Sequence, residues 1–165
     1  MSQEKLRDVR AEDAEAVAAI YSHYALNTLI TFEEEAVSAE TMKERIGEIT
    51  RTLPWIVAED GQGLQGYACA YPWKTRAAYR RTVESGIYLR PDAVGRGLGT
   101  RLYAELLRRL REGGLHAVIG GIALPNPASI ALHEKLGFRS IGRFRQVGFK
   151  FGKWIDVGYW EAILG

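Results

Sequence analysis

A glycine-rich turn between a predicted strand and a predicted helix constrains the fold of this chain most. The turn reads Val94-Gly95-Arg96-Gly97-Leu98-Gly99-Thr100, and leucines at positions 98, 102, 106 and 110 continue it as a helix. Glycines let the backbone approach a ligand closely, and the free N–H groups of a first helical turn attract an anion. No Lys-Ser/Thr pair follows, which excludes a Walker phosphate loop. The turn predicts a phosphate site in an α/β domain, and the alternative is a turn that only starts a helix.

The predicted elements follow the order strand, two helices, three strands, helix, strand, helix, two strands. This order predicts a mixed α/β sheet with helices on its faces, within a single domain over residues 1–165. The predicted strands are Leu6–Arg10, Trp55–Glu59, Leu64–Tyr71, Thr82–Leu89, His116–Ala123, Ile141–Phe149 and Trp154–Leu164. The predicted helices are Ala11–Leu26, Ser38–Arg51, Gly97–Glu112 and Ala128–Leu136, with Asp13 and Ser38 as expected caps of the first two.

Composition excludes several classes of function. The 22 Lys and Arg against 20 Asp and Glu give a net charge of +2, too balanced for a protein that coats nucleic acid. The single cysteine, Cys69, excludes an internal disulfide framework, and the three histidines show no metal-binding spacing, so we expect no metal. No apolar run approaches the roughly 20 residues of a membrane span, and the polar N-terminus is unlike a secretory signal. We therefore expect a cytoplasmic protein that binds neither membrane nor nucleic acid.

A second motif combines an asparagine in a proline-rich break with a short predicted helix. Asn126 lies between two prolines, and Ser129 and His133 follow one helical turn apart. An asparagine amide in such a break contacts either a ligand or the local backbone, and His133 faces either the same groove or solvent. Taken alone, the motif leaves both alternatives open.

Together the two motifs resemble the GNAT superfamily of N-acetyltransferases. The match consists of the glycine-rich turn, then a strand, then Asn-x-x-Ser and the segment His133-Glu134-Lys135-Leu136-Gly137-Phe138. The resemblance implies a splayed, mostly antiparallel central sheet flanked by helices, with acetyl-CoA as co-substrate. The family turn usually begins with Gln or Arg, where this chain has Val94. The acetyl-CoA-binding residues that the resemblance implies are Ile87, Tyr88, Leu89, Gly95, Arg96, Gly97, Leu98, Gly99, Thr100, Asn126 and Ser129.

A narrower resemblance, to the phosphinothricin acetyltransferases, covers nearly the whole chain. It rests on the segments 71–79, 82–89 and 148–160, of which the last is the longest and most unusual. It implies acetylation of the α-amine of a small amino acid such as phosphinothricin, methionine sulfoximine or methionine sulfone, by a homodimer. The alternatives are an acetyltransferase for another amine, such as a peptide N-terminus or a polyamine, and a CoA-binding module without turnover.

The resemblance also assigns catalytic roles. Glu84 matches the general base of the phosphinothricin enzymes, and His133 stands where many relatives carry a tyrosine that protonates the leaving thiolate; a groove wall without proton transfer is the alternative for His133. By the same resemblance, the backbone of residues 87–89 pairs with the pantetheine arm, and the N–H of Tyr88 or a neighbour polarises the thioester.

A basic run in the segment 74–81 contains no acidic residue, which suits a substrate with anionic groups. With Glu84, the predicted substrate-binding residues are Phe32, Lys74, Arg76 and Tyr79. A second basic stretch, from Arg139 to Lys153 and including Lys150, is open to three interpretations: a solvated face, charge facing CoA, or a dimer surface.

Overall fold

The computed structural model describes residues 3–165, which form one seven-stranded sheet and four α-helices. The strands are β1 (Lys5–Asp8), β2 (Trp55–Asp60), β3 (Gly63–Pro72), β4 (Thr82–Leu89), β5 (Ala117–Ala123), β6 (Arg139–Lys150) and β7 (Lys153–Ile163). The helices are α1 (Ala14–Asn27), α2 (Ala39–Ile49), α3 (Leu98–Glu112) and α4 (Pro127–Lys135). The sheet order is β1-β2-β3-β4-β5-β7-β6, and all neighbours are antiparallel except the parallel pair β4 and β5. The predicted mostly antiparallel α/β sheet is therefore confirmed.

Each face of the sheet is covered by its own helices. The leucine stripe of α3 packs against one face, with buried residues such as Leu102 and Val118. Helices α1 and α2 cover the other face, where Trp55 stacks on Tyr67 with ring centroids 5.4 Å apart. Because side chains alternate along a strand, successive residues of β4 face the two different helical layers. No helix among residues 3–165 is long and apolar enough to cross a membrane, and no cluster of three metal-ligating side chains occurs there.

The start of the first helix differs from the prediction. Residues Ala11–Asp13 form a 3-10 turn before α1, and Asp13 makes no side-chain cap to that helix. Its carboxylate instead binds the Arg7 guanidinium at 2.8 and 2.9 Å and accepts the Arg10 backbone N–H at 2.7 Å. The predicted cap at Ser38 is confirmed, since its hydroxyl accepts the Thr41 N–H at 3.1 Å.

Candidate active site

The sheet opens at the parallel pair of strands. Strands β4 and β5 pair at only three positions, the last being Glu84 opposite Ile119, although β4 continues to Leu89 and β5 to Ala123. Strand β3 still pairs with β4 as far as Leu89. One backbone edge of β4 beyond Glu84 therefore faces a gap, and this edge belongs to the residues predicted to pair with pantetheine, Ile87, Tyr88 and Leu89.

The glycine-rich turn lies at the far end of this gap and fits a phosphate group. Gly95 and Gly97 adopt left-handed φ angles of 82° and 80°, which favour glycine. Helix α3 begins directly afterwards at Leu98, and no side chain caps it. Its first-turn N–H groups, including those of Gly99 and Thr100, therefore lack a side-chain acceptor and are suited to an anion.

Two arginines near the turn are held by the chain itself. Arg96 is exposed and donates to the Asp92 carbonyl at 2.8 Å. Arg101 turns towards Glu4, whose carboxylate and carbonyl accept at 3.0 and 2.6 Å. Only Arg96 is therefore placed on the exposed surface of the turn, where a phosphate would approach.

Glu84 lies in a cavity of about 380 Å³ beside the opening of the sheet. The walls include Thr31, Phe32, Tyr71, Tyr88, Val147 and Tyr159. Burial raises the pKa of the Glu84 carboxyl, while the charge of Lys74 opposes that rise. A carboxylate with a raised pKa at the mouth of a cleft has the properties of a general base.

A second cavity, of about 490 Å³, adjoins the first along Tyr71, Glu84 and Tyr88. Its opposite wall carries Arg45, whose guanidinium donates to the Glu33 carboxylate at 2.7 and 3.0 Å. This pairing lowers the pKa of Glu33, so its charge and that of Arg45 largely cancel. Of the cavity-wall carboxylates Glu33 and Glu84, only Glu33 is paired with a guanidinium.

The predicted substrate residues separate into two groups. Phe32 lines the Glu84 cavity, whereas Arg76 and Tyr79 line a different cavity of about 730 Å³ beside the C-terminal end of α3. In the single chain these residues therefore do not line one cavity, and the substrate contacts of Arg76 and Tyr79 stay predictions. The reason is that the loop after Pro72 shares a cavity with Gly113 and Leu115 at the end of α3. Lys74 also lines the cavity of Arg76 and Tyr79, and its charge lowers the pKa of the Glu84 carboxyl.

His133 is buried, with 4% of its surface exposed, so the expectation of a groove-facing or half-exposed ring is wrong. Its Nδ1 lies 2.7 Å from the Ser129 carbonyl, and its Nε2 lies 3.0 Å from the Tyr103 hydroxyl. The Tyr103 hydroxyl in turn lies 2.5 Å from the Ser85 hydroxyl, which borders the Glu84 cavity. A Cβ at Gly120 would come within 2.6 Å of Nε2, so the strand backbone packs directly against the ring.

Asn126 and Ser129 have local partners. The Asn126 side-chain oxygen caps α4 by accepting the Ser129 N–H at 3.2 Å. The Ser129 hydroxyl lies 3.4 Å from His133 Nδ1. The Asn126 amide nitrogen is therefore the part of this motif left to donate to a ligand, and the acetyl-CoA contacts of both residues stay predictions.

Sequence reasoning missed several wall residues. Tyr159 lies beside Gly121 and makes an edge-to-face contact with Trp73 at 5.9 Å between ring centroids. Tyr71 packs in the aromatic layer under α1. The side chain of Tyr88, a residue predicted only for its backbone contact with acetyl-CoA, lies in the same layer and contacts Tyr21. Their only sequence signal is aromatic residues within predicted strands, which is equally typical of a buried core.

Comparison with known proteins agrees with this geometry. A family model described as an acetyltransferase (GNAT) domain matches residues 6–158. Phosphinothricin N-acetyltransferase of Streptomyces viridochromogenes is 37% identical over 157 residues, which cover 95% of this chain and 86% of the relative. An L-methionine sulfoximine/L-methionine sulfone acetyltransferase of Pseudomonas aeruginosa is 36% identical over 161 residues, 96% of this chain and 94% of that one. The crystal structure of a phosphinothricin acetyltransferase from Sinorhizobium meliloti in complex with acetyl-CoA superposes with a TM-score of 0.95 at 39% identity, covering 99% of this chain and 90% of that chain.

The opened sheet, the uncapped helix after a glycine-rich turn and the half-buried carboxylate, together with these relatives, define an enzyme that moves an acyl group from a CoA thioester. The chain belongs to the GNAT acetyltransferase family, and its co-substrate is acetyl-CoA.

Proposed function

We propose that this enzyme acetylates the α-amine of a small amino acid with an oxygen-rich side chain, such as phosphinothricin, methionine sulfoximine or methionine sulfone. The observation that carries the proposal is the position of Glu84, whose carboxylate lies where the amino-acid cavity meets the opening between β4 and β5. The likeness to enzymes named for these substrates supports the substrate class. We also propose that residues 1–165 form one catalytic domain.

Glu84 acts as the general base in this proposal. Its ionised carboxylate accepts one proton from the substrate ammonium, directly or through a water, and the freed nitrogen attacks the thioester carbonyl. A backbone N–H of the gap-facing strand, that of Tyr88 or a neighbour, donates to the developing oxyanion. The carbon–sulfur bond then breaks, the amide retains one hydrogen of the nitrogen, and the third hydrogen balances the thiolate as CoA-SH.

His133 has a supporting role in this mechanism. Because Nδ1 lies beside a carbonyl, the neutral ring carries its hydrogen there and its Nε2 accepts from Tyr103. Donation towards Ser85 and the thiolate would require an imidazolium, and burial lowers the pKa of His133. We therefore infer that His133 orients Tyr103 and Ser85 behind the gap, which replaces the thiolate-protonating role predicted from the sequence.

Thiol release from acetyl-CoA, measured over a panel of amines, tests the substrate class. The panel contains methionine sulfone, methionine sulfoximine, phosphinothricin, a peptide with a free N-terminus and a polyamine. We expect kcat/KM for the three amino acids to exceed that for the other amines by at least about a hundredfold, since a cavity built for a ligand discriminates strongly against one without matching groups. A preference for the peptide or the polyamine would establish the alternative acetyltransferase function.

We also propose a homodimer formed through the β6 edge of the sheet. This edge strand and the start of β7 expose large apolar side chains, among them Phe144 at 60% and Trp154 at 65%. Exposed apolar patches on an unpaired edge indicate an interface. Light scattering should give twice the chain mass, and Phe144→Glu should shift the protein towards the monomer; a monomeric parent would contradict the proposal.

The single cysteine suits the cytoplasm, where we place the enzyme.

A further inference from the structure

The end of β6 holds the loop between α1 and α2 by a buried lysine. Lys150 is 1% exposed, and its ammonium donates to the carbonyls of Thr31 at 2.7 Å and Glu33 at 2.8 Å. These carbonyls belong to the residues on either side of Phe32, which lines the Glu84 cavity. The predicted alternatives for Lys150, a solvated face, CoA-facing charge or a dimer surface, are therefore all wrong. A buried ammonium is costly unless hydrogen-bonded, and here the loop backbone supplies the acceptors.

Gly148 packs against the side chain of Phe32, the residue whose two neighbours Lys150 binds. A Cβ added to Gly148 would overlap the ring of Phe32. Gly148 does not adopt a positive φ. The packing therefore needs a glycine here because there is no room for a side chain, and not because of the backbone conformation. Two residues on one face of β6 therefore hold Phe32. Lys150 binds the backbone on either side of it, and Gly148 contacts its ring.

An irregularity in the β6–β7 pairing directly precedes Gly148 and Lys150. Phe144 pairs with Val157 and Gly148 with Ile155, so three residues of β6 lie opposite Asp156 alone. The Asp156 carboxylate accepts the Gln146 backbone N–H at 2.7 Å and pairs with Arg143, which holds the bulge. The same bulge presents Val147 to the wall of the Glu84 cavity. Bulges that re-aim side chains occur next to active sites.

We infer that Gly148 and Lys150 form a clamp that fixes the position of Phe32 and thereby sets which amino-acid side chains the cavity accepts. Lys150 is a positioning residue, because it acts on the substrate through Phe32 and does not line the cavity itself. The inferred effect on substrate specificity rests on the proposed amino-acid substrate, whereas the inferred position of Phe32 does not. The clamp also gives a physical role to the segment 148–160, the longest of the three that carry the sequence resemblance.

Amide hydrogen exchange tests the clamp without any substrate. Lys150→Met removes the ammonium and keeps an unbranched side chain, and Lys153→Met changes a neighbouring exposed lysine as the control. We expect exchange at the amides of residues 28–37 to speed up by about tenfold or more in Lys150→Met, the usual scale for losing a hydrogen bond from a charged donor. Exchange equal to that of Lys153→Met would overturn the clamp.

Steady-state kinetics test its effect on specificity. In Lys150→Met we expect KM for methionine sulfone to rise about tenfold while KM for acetyl-CoA stays unchanged, and Lys150→Arg should restore part of the loss. In a Phe32→Ala background, Lys150→Met should have no further effect on KM, since the two changes act through one side chain. Full additivity of the two changes would refute positioning through Phe32.

Gly148→Ala displaces the Phe32 ring directly, and it tests the same inference if Lys150→Met does not fold. It should shift the ratio of kcat/KM between methionine sulfone and a bulkier amino acid, and an unchanged ratio in a folded variant would refute the role in specificity. If the parent acetylates no amino acid of the panel, the proposed substrate class fails, and hydrogen exchange still decides whether the clamp exists.

Discussion

The Glu84 carboxylate lies against Gly121 at the point where β4 and β5 separate. A Cβ at Gly121 would come within 3.3 Å of Glu84 Oε1 and 3.2 Å of the Tyr159 ring. A glycine therefore leaves room for the carboxylate between the two strands, two residues beyond Ile119 in their last pair. This placement keeps Glu84 half-buried and open to the cavity, the condition under which a carboxyl group can both titrate and reach a substrate amine.

The raised pKa of Glu84 predicts that the residue destabilises the fold at neutral pH. The folded state binds the proton more tightly than the unfolded chain, so stability falls as the pH rises from below the ordinary glutamate pKa through the folded value. Glu84→Gln should therefore melt at a higher temperature than the parent at pH 7, and the difference should disappear below about pH 4.

Glu105 provides a control of opposite sign. Its pKa is lowered to about 2 by Arg108 and Arg109, so its ionised form stabilises the fold above the ordinary glutamate pKa, and that contribution is lost as the pH falls. Glu105→Gln should melt at a lower temperature than the parent at pH 7. Equal shifts of the same sign in both variants would contradict the assignment of Glu84 as an electrostatically unfavourable group.

Lys74 should set the acidic limb of the pH–rate profile. Its charge lowers the pKa of Glu84, so Lys74→Met removes an influence that favours the ionised base. The acidic limb of kcat/KM against pH should then move to higher pH, since that profile reports the free enzyme. Lys153→Met is the matched control and should leave the limb in place. An unmoved limb in Lys74→Met would show that Lys74 does not act on the base.

The glycine-rich turn should bind the phosphates of acetyl-CoA through its backbone. Gly97 has a φ of 80° and Gly114, at the other end of α3, a φ of 79°, and neither has an atom within 4 Å of an added Cβ. Gly97→Ala and Gly114→Ala therefore introduce the same backbone strain. By calorimetric titration, Gly97→Ala should weaken CoA binding by at least about tenfold, because the new methyl group keeps the pyrophosphate away from the helix N-terminus, while Gly114→Ala should bind normally. Equal affinities would remove the phosphate-binding role from the turn.

The hydrogen-bonded side chains of Ser85, Tyr103 and His133 should contribute to stability. Tyr103→Phe leaves His133 Nε2 without its hydroxyl partner in a buried site. Denaturant unfolding should show a loss of about 1–3 kcal/mol, the cost of an unsatisfied buried polar group. Tyr79→Phe, which removes the hydroxyl of an exposed tyrosine, should change the free energy of unfolding little. A Tyr103→Phe variant as stable as the parent would mean that the hydrogen bond contributes nothing.

Local patterns predicted the elements of the fold, and tertiary contacts decided the parts of the site that the sequence misplaced. Strand Thr82–Leu89 and the helix after Gly97 agree with the structure because alternation, leucine spacing and glycines are local signals. The burial of His133 and Lys150 was not predicted, since each depends on partners far along the chain, Tyr103 and Thr31. The loop carrying Arg76 lines a cavity together with the end of α3, a neighbour that the residues of the loop do not reveal.

The central claim is that Glu84 is the base for acetylation of an amino acid bound in its cavity. The most direct measurement compares turnover of the parent and Glu84→Gln with acetyl-CoA and methionine sulfone, alongside calorimetric titration with CoA. We predict that turnover at neutral pH falls by roughly 10²–10⁴-fold, that the loss shrinks at high pH where more amine is already free, and that CoA affinity is unchanged. Turnover within about threefold of the parent at neutral pH would contradict the account.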